Sequence, residues 1–502
     1  EIPGISRGKF SKNVRIAVGS VYRVASSPST VQSKNLLVNY VSLLGGTALA
    51  KGMGLLTVLM LTRYLGVEDF GRYSLAFSVW AFLNTLVDLG GSHIAGREIS
   101  RQPGKLRPVM ESIIYLRLLG CLLFLPVGFA LGPGLGLSNM LVLVVFIGIF
   151  TGFEAYYDIY FSATMQLNKS ARARFLASIA NTLLIALSIL LKWPLLAIVL
   201  LAMLNPLLKL GLDYAYGGAF PLKISPPDWS WIHRIFTDGW PLWLGGLQSI
   251  VLARVDTLML QILSPTGQHD LGIYSAAFRF SEVMALLINA LCPAILPLLV
   301  QAAQHPAKIQ FLAQTGLRLI LTVLIAISLL IFWYAPWIAR LYGPGYAEAA
   351  GCMRILIWSQ AFVAVNALCY YLLLVYNQQG KRPVIMANIG LTLLNIVLNA
   401  LLIPGLHAEG ASWATVITEV AILLCMLGFI RAYTPLRLGK DILAMECLAL
   451  FSCLPIVFTN HLYGGFSALL FIGLVFTARL LTPQRLKDLA LEKLPEAPRN
   501  PT

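Results

Sequence analysis

Between residues 38 and 481 the chain alternates long apolar runs with short polar interruptions, giving about fourteen stretches of membrane-crossing length. A hydrocarbon core roughly 30 Å thick is crossed by roughly 20 helical residues. The runs 38–61, 73–87, 141–153 and 311–332 are too apolar, and such runs too numerous, for a soluble core. The pattern predicts an all-α polytopic membrane protein. Its spans fall near 37–61, 72–93, 109–131, 139–162, 171–191, 194–216, 238–263, 271–300, 311–333, 352–376, 383–403, 409–431, 441–460 and 464–481. Proline- and glycine-bearing breaks such as Arg-Gln-Pro-Gly (101–104), Gly-Pro-Gly (343–345) and Ile-Pro-Gly (403–405) punctuate them.

The pattern repeats. Asp69-Phe-Gly-Arg-Tyr-Ser-Leu-Ala-Phe77 returns 201 residues later as Asp270-Leu-Gly-Ile-Tyr-Ser-Ala-Ala-Phe278, with six of nine positions identical. Thr182-Leu-Leu is echoed by Thr392-Leu-Leu. The expected organisation is a basic tail (1–36), a six-helix lobe (37–216), a cytoplasmic linker (217–237) and a second six-helix lobe (238–431). Two further helices (432–481) and a second cytoplasmic tail (482–502) follow. Six is even, so the two lobes keep one orientation and are related by an axis along the membrane normal, a transporter architecture.

Composition then decides what the charge is for. Hydrophobic residues make up 58% of the chain, and the net charge is +15. Of the 37 Lys and Arg, 26 fall in the tails and in the loops at 97–107, 169–174, 223–234, 308, 381–382 and 431–440. Only Arg63, Arg72, Lys192 and Arg340 lie in the opposite set of loops. Positive loops stay cytoplasmic, which places both termini inside. The basicity is a topology signal rather than a nucleic-acid footprint. The Arg/Ser-rich stretch 1–36 is read as a lipid-facing tail rather than a transit peptide. Seven scattered Cys form neither a CxxC nor a Cys/His cluster, so neither a disulfide framework nor a metal site is expected. No phosphate loop or catalytic constellation is visible, and no cofactor is expected.

Charges inside apolar spans are costly unless they pair or meet water, so they are the candidate functional residues. Lys51 and Arg254 each sit deep in the first helix of a lobe, at nearly equivalent repeat positions, with no carboxylate three or four residues away. Together with Arg117 and Arg279 they form a candidate anion-binding set. The alternatives are a cross-helix salt bridge to Glu154 or Glu419 for the first pair, and an Arg279–Glu282 pair along one helix. Lys209 and Asp213, also four apart, are expected to pair. Glu154 and Asp158 share a helix face, and two carboxylates at low dielectric do not both ionise cheaply, so they are candidates for a proton or coupling ion. Asp256 joins them. Asn388, Asn395 and Asn399 form a polar stripe on the eleventh span, read as a helix-to-helix contact.

Leu61-Thr-Arg-Tyr-Leu-Gly-Val-Glu-Asp-Phe-Gly-Arg-Tyr-Ser-Leu-Ala, then Leu86-Val-Asp-Leu-Gly and Arg97-Glu-Ile-Ser, resembles the start of the polysaccharide flippases. These form one branch of the multidrug/oligosaccharidyl-lipid/polysaccharide exporter superfamily. Arg254-Val-Asp256-Thr, Gly272-Ile-Tyr-Ser-Ala-Ala, Asn395-x-x-x-Asn399 and Gly410-Ala-Ser-Trp-Ala-Thr are similar to its second half. The resemblance implies a two-lobed bundle in a bacterial inner membrane. By alternating access it would carry a polyprenyl-diphosphate-linked glycan from the cytoplasmic to the outer leaflet, among membrane lipids, with H+ or Na+ as a possible coupling ion and polysaccharide polymerases as possible partners. A cation-coupled multidrug-type exporter of the same superfamily is the alternative; a membrane-embedded polymerase is a more distant one, because no loop is large enough for a catalytic domain.

Overall fold

The structure, a computed structural model, describes residues 30–134, 152–164, 166–218, 226–302, 305–376, 381–436 and 464–478, with isolated positions at 438–448 and 480–482. Among the described residues the fold is all-α. In chain order the α-helices are α1 (Thr30–Val87), α2 (Gly91–Arg101), α3 (Leu106–Gly134), α4 (Glu154–Ala163), α5 (Leu167–Leu190), α6 (Leu195–Met203) and α7 (Asn205–Gly217). Then come α8 (Trp229–Leu263), α9 (Gly267–Gln301), α10 (Pro306–Tyr342), α11 (Ala349–Tyr376), α12 (Lys381–Tyr433) and α13 (Gly464–Thr477). Helices are the form these apolar runs must take, because lipid offers the backbone no hydrogen-bond partner and the i→i−4 ladder satisfies it internally. Among the described residues, eight segments are long and apolar enough to cross a membrane. Two of these, in α1 and α12, are pairs of spans merged across a kink at Gly66 (φ +74°) and at His407 (φ +55°). The span expected at 441–460 and most of that at 139–162 lie outside the described residues.

The chain forms two compact units. One contains the described residues up to Leu56 together with Val79–Leu247; the other contains Thr57–Ser78 and the described residues from Gln248 onward. Residues 57–78, which sequence reading assigns to the first lobe, thus group with the later half of the chain. The reason is the repeat itself. A Cβ on Gly71 would overlap the carbonyl oxygen of Gln268, and one on Gly272 would overlap that of Val67. Each glycine meets the residue four before its counterpart, which is the reciprocity of a local two-fold axis. Close backbone approach through small residues is how helices adhere where no hydrophobic drive separates them from lipid. Arg72 then reaches across, its Nε donating to Gln268 Oε1 at 2.8 Å, while its Nη1 holds Asp69 at 2.8 Å.

In the first unit, Ile94, Ala95 and Ile99 of α2 pack with Val109, Ile113 and Ile114 of α3 and Ile235 of α8. In the second, α9, α10, α11 and α12 enclose a continuous apolar core that includes Leu312, Leu321, Ile325, Leu368, Leu372 and Met426. Against so apolar a background, each buried charge is conspicuous.

Candidate functional site

Within the first unit the intramembrane charges gather at Lys209. Its Nζ lies 2.8 Å from Asp213, 2.9 Å from Asp158 and 3.7 Å from Glu154, while Arg174 reaches Asp158 at 2.9 Å. Glu154 and Asp158, brought to one face by the turn of α4, are therefore shared among two cations from α5 and α7. Ser170 Oγ also donates to Asp158. Lys209 is 4% exposed, while the side chains of Glu154, Asp158 and Arg174 keep 29–35% exposure. Its i,i+4 partner Asp213 was legible in the sequence; the carboxylates on α4, more than fifty residues away, were not.

Arg117 is buried, at 2% exposed. Its Nη2 donates to Asn84 Oδ1, its Nη1 lies 4.0 Å from Asp88, and its guanidinium sits 5.5 Å from the centroid of Phe153. A Cβ at Gly152 would strike this guanidinium, so glycine there leaves it room. Lys51 differs from all of these: it is exposed, on a stretch of α1 where Gly52 and Gly54 have open space around them.

Within the second unit, Arg254 of α8 and Arg279 of α9 grip one carboxylate. Arg254 Nη2 meets Glu282 Oε1 at 2.8 Å, and Arg279 Nη1 meets Glu282 Oε2 at 2.8 Å. The Arg279–Glu282 pair is the one expected from its i,i+3 spacing. The Arg254–Glu282 bridge replaces the partners considered from sequence, Glu154 and Glu419. Two cations on one anion leave a formal charge of +1, on side chains that remain 16–29% exposed.

Asp256, two residues from Arg254, points to another face of α8 and is 2% exposed. It accepts from Tyr274 Oη at 2.7 Å, Thr415 Oγ1 at 2.7 Å and Asn399 Nδ2 at 2.6 Å. Asn399 Nδ2 is shared with Asn395 Oδ1 at 3.1 Å, and Asn395 is held by Thr418 at 3.2 Å. Asn395 and Asn399 of the stripe read as a helix-to-helix contact thus form one wall of a cage around a carboxylate. Tyr274 and Thr415 went unassigned in the sequence, although both lie in the motifs Gly272-Ile-Tyr and Gly410-Ala-Ser-Trp-Ala-Thr. Among the described residues no cation pairs with Asp256, and the cage holds a buried oxygen without a partner, Asn399 Oδ1. Oxygen donors around one carboxylate suit a proton or a hard monovalent cation. Among the described residues, no group of His, Cys, Asp and Glu could hold a metal ion.

Charges inside apolar spans mark substrate or ion pathways among other uses, and solved structures of membrane transporters share this fold. The lipid II flippase MurJ in an inward closed conformation superposes with a TM-score of 0.70 at 15% identity, covering 89% of this chain and 98% of that one. An inward-facing multidrug resistance MATE family transporter of the MOP superfamily gives 0.62 at 14% identity, covering 79% and 95%. A MOP superfamily transporter from Pyrococcus furiosus, described as having a binding pocket of reverse polarity, gives 0.56 at 16% identity, covering 80% and 96%. No curated protein matches the chain. The profile of the family described as "Polysaccharide biosynthesis protein" matches residues 36–303, and that described as "MatE" matches 243–401. With more than half its length matched by the former, the chain belongs to the polysaccharide biosynthesis protein family.

Proposed function

We propose that the protein is a flippase that moves a polyprenyl-diphosphate-linked oligosaccharide from the cytoplasmic to the outer leaflet of a bacterial inner membrane by alternating access, both its termini being cytoplasmic. The supporting observation is the Arg254–Glu282–Arg279 cluster, a half-buried excess of positive charge within apolar helices. An anionic headgroup is the ligand such an excess favours. Each sugar hydroxyl left unpaired in hydrocarbon costs about 4–8 kcal/mol, and an ionised diphosphate far more, so unaided crossing is negligible. Lys51, exposed on α1, and Arg117 complete the proposed substrate-binding set with Arg254 and Arg279.

Asp256 is the proposed site of a coupling proton or Na+. Glu154 and Asp158 stand as proton candidates, with Lys209 and Arg174 already carrying part of their counter-charge. Polysaccharide polymerases are the proposed partners downstream.

The test is reconstituted flipping of a lipid-linked oligosaccharide by the Lys51→Gln, Arg254→Gln double variant. Loss of flipping at unchanged protein level is expected; normal flipping rejects the anion site. A second reading, a cation-coupled multidrug-type exporter, is favoured by the caged Asp256 and the MatE match over 243–401. Transport of organic cations by the purified protein decides for it.

A further inference from the structure

A second carboxyl near the middle of the membrane has no part in the clusters above. Glu419 lies twelve residues, ~18 Å of helix, past the His407 break in α12 and fourteen residues, ~21 Å, before its end at Tyr433. Both distances put it near the centre of a crossing about 30 Å thick. Its side-chain partner is Asn366 of α11, whose Nδ2 donates to Glu419 Oε2 at 2.9 Å and to the Glu419 carbonyl oxygen at 3.3 Å. Both residues are half-buried, within reach of exchange yet shielded.

Among the described residues Glu419 forms no ion pair, and Arg254, Arg279, Glu282, Arg318 and Arg354 of the surrounding helices have partners elsewhere. On α9, Arg279 and Glu282 pair with each other and with Arg254. On α10, Arg318 donates to the carbonyl of Leu480, and on α11 Arg354 donates to that of Phe332. Within one turn of Glu419 stand Thr415, Val416, Ile422 and Leu423; within one turn of Asn366 stand Phe362, Val363, Cys369 and Tyr370. None is a cation. Thr415, four residues before Glu419 on α12, belongs to the Asp256 cage instead.

The second observation is an orphan. Asn366 Oδ1 is buried and has no hydrogen-bond partner. An ionised carboxylate can only accept, so it leaves that oxygen unserved, whereas a protonated carboxyl adds an O–H donor. A carboxylic acid facing a primary amide closes a two-bond ring, N–H to one carboxyl oxygen and O–H to the amide oxygen. Half of that ring is present at 2.9 Å, and the orphaned Oδ1 is the acceptor for the other half.

We propose that Glu419 and Asn366 form a proton-binding site at mid-membrane, separate from the Asp256 cage. The site rests on the transporter reading for its purpose, since bound protons serve a gradient-driven cycle. It does not depend on the identity of the substrate.

The experiment is infrared titration of the full-length protein reconstituted in lipid, following the C=O band of protonated carboxyl groups with pH. The expected result is a titrating carboxyl component in the wild type that Glu419→Gln lacks. In Asn366→Leu the same component persists at a displaced frequency, because the amide bond to it is gone. Identical titrations in the wild type and Glu419→Gln overturn the proposal. If Glu419→Gln does not fold, the Asn366→Leu spectrum decides alone, and an undisplaced band overturns it. The readout requires no lipid-linked sugar. A failed flipping assay with the Glu419 band in place therefore rejects the flippase reading and spares this site, and the converse result does the reverse.

Discussion

Lys209 pairs with three carboxylates from a position 4% exposed, and its removal leaves Asp213 and Glu154 without this cation and Asp158 with Arg174 alone. Replacing one partner of a buried charge pair typically costs 3–5 kcal/mol, about the range expected for Lys209→Met, because an uncompensated charge is left at low dielectric. Unfolding of the detergent-solubilised protein followed by thermal denaturation would show it, and Asp213→Asn in the same chain should recover part of the loss. Asp256 behaves differently, because its partners are neutral donors rather than a cation. Asp256→Asn keeps the side chain's shape and leaves the cage standing, so the protein is expected to fold normally and to lose ion- or pH-dependence of transport. A variant that transports with the wild-type dependence would remove Asp256 from the coupling role. The sequence exposed pairs that one helix brings together, Lys209–Asp213 and Arg279–Glu282, because 3.6-residue periodicity fixes them locally. It hid Arg254–Glu282 and Asp256–Asn399, separated by 28 and 143 residues, because only helix packing brings them together.

The repeat is where element-level reasoning reached furthest. Its Asp-x-Gly-x-Tyr-Ser pattern was read as a mark of homologous halves, and the fold gives the glycine its physical task, a reciprocal crossing in which no Cβ fits. Gly71→Ala or Gly272→Ala inserts a methyl group against a backbone carbonyl, where neither neighbour can rotate away. Overpacking of that kind costs about 1–3 kcal/mol. The double variant is expected to cost less than the sum of the two, since both methyl groups force apart the same pair of helices. Gly52→Ala supplies the control. The space around Gly52 is open, so alanine there should be tolerated or mildly stabilising through better helix propensity. What the pattern did not reveal was that residues 57–78 pack with the later half of the chain, because hydropathy locates a span and says nothing of its neighbours.

At the scale of the whole molecule, the sign of the transported charge separates the two functional readings. A headgroup carrying negative charge gains about 2.3 kcal/mol per charge per 100 mV when it leaves a negative interior, ~40-fold in the equilibrium for each charge that traverses the full field. In the proposed site the Arg254–Glu282–Arg279 cluster would offset part of that charge, so the loaded step moves less charge than the headgroup's own, while the full cycle carries all of it. Flipping in proteoliposomes should therefore accelerate when a potassium diffusion potential makes the side of origin negative, and slow when the potential is reversed. Neutralising Arg254 and Arg279 together should steepen this dependence in whatever flux survives, because less positive charge then accompanies the headgroup. An exporter of organic cations obeys the opposite sign, its outward flux being retarded by a negative interior unless a coupling ion drives it. Measuring initial rates at opposite polarities with no H+ or Na+ gradient imposed gives the sign of the transported charge without knowledge of the glycan. An outward rate that falls as the interior becomes more negative would contradict net outward movement of negative charge and would shift the assignment to the cation-coupled reading that Asp256 supports.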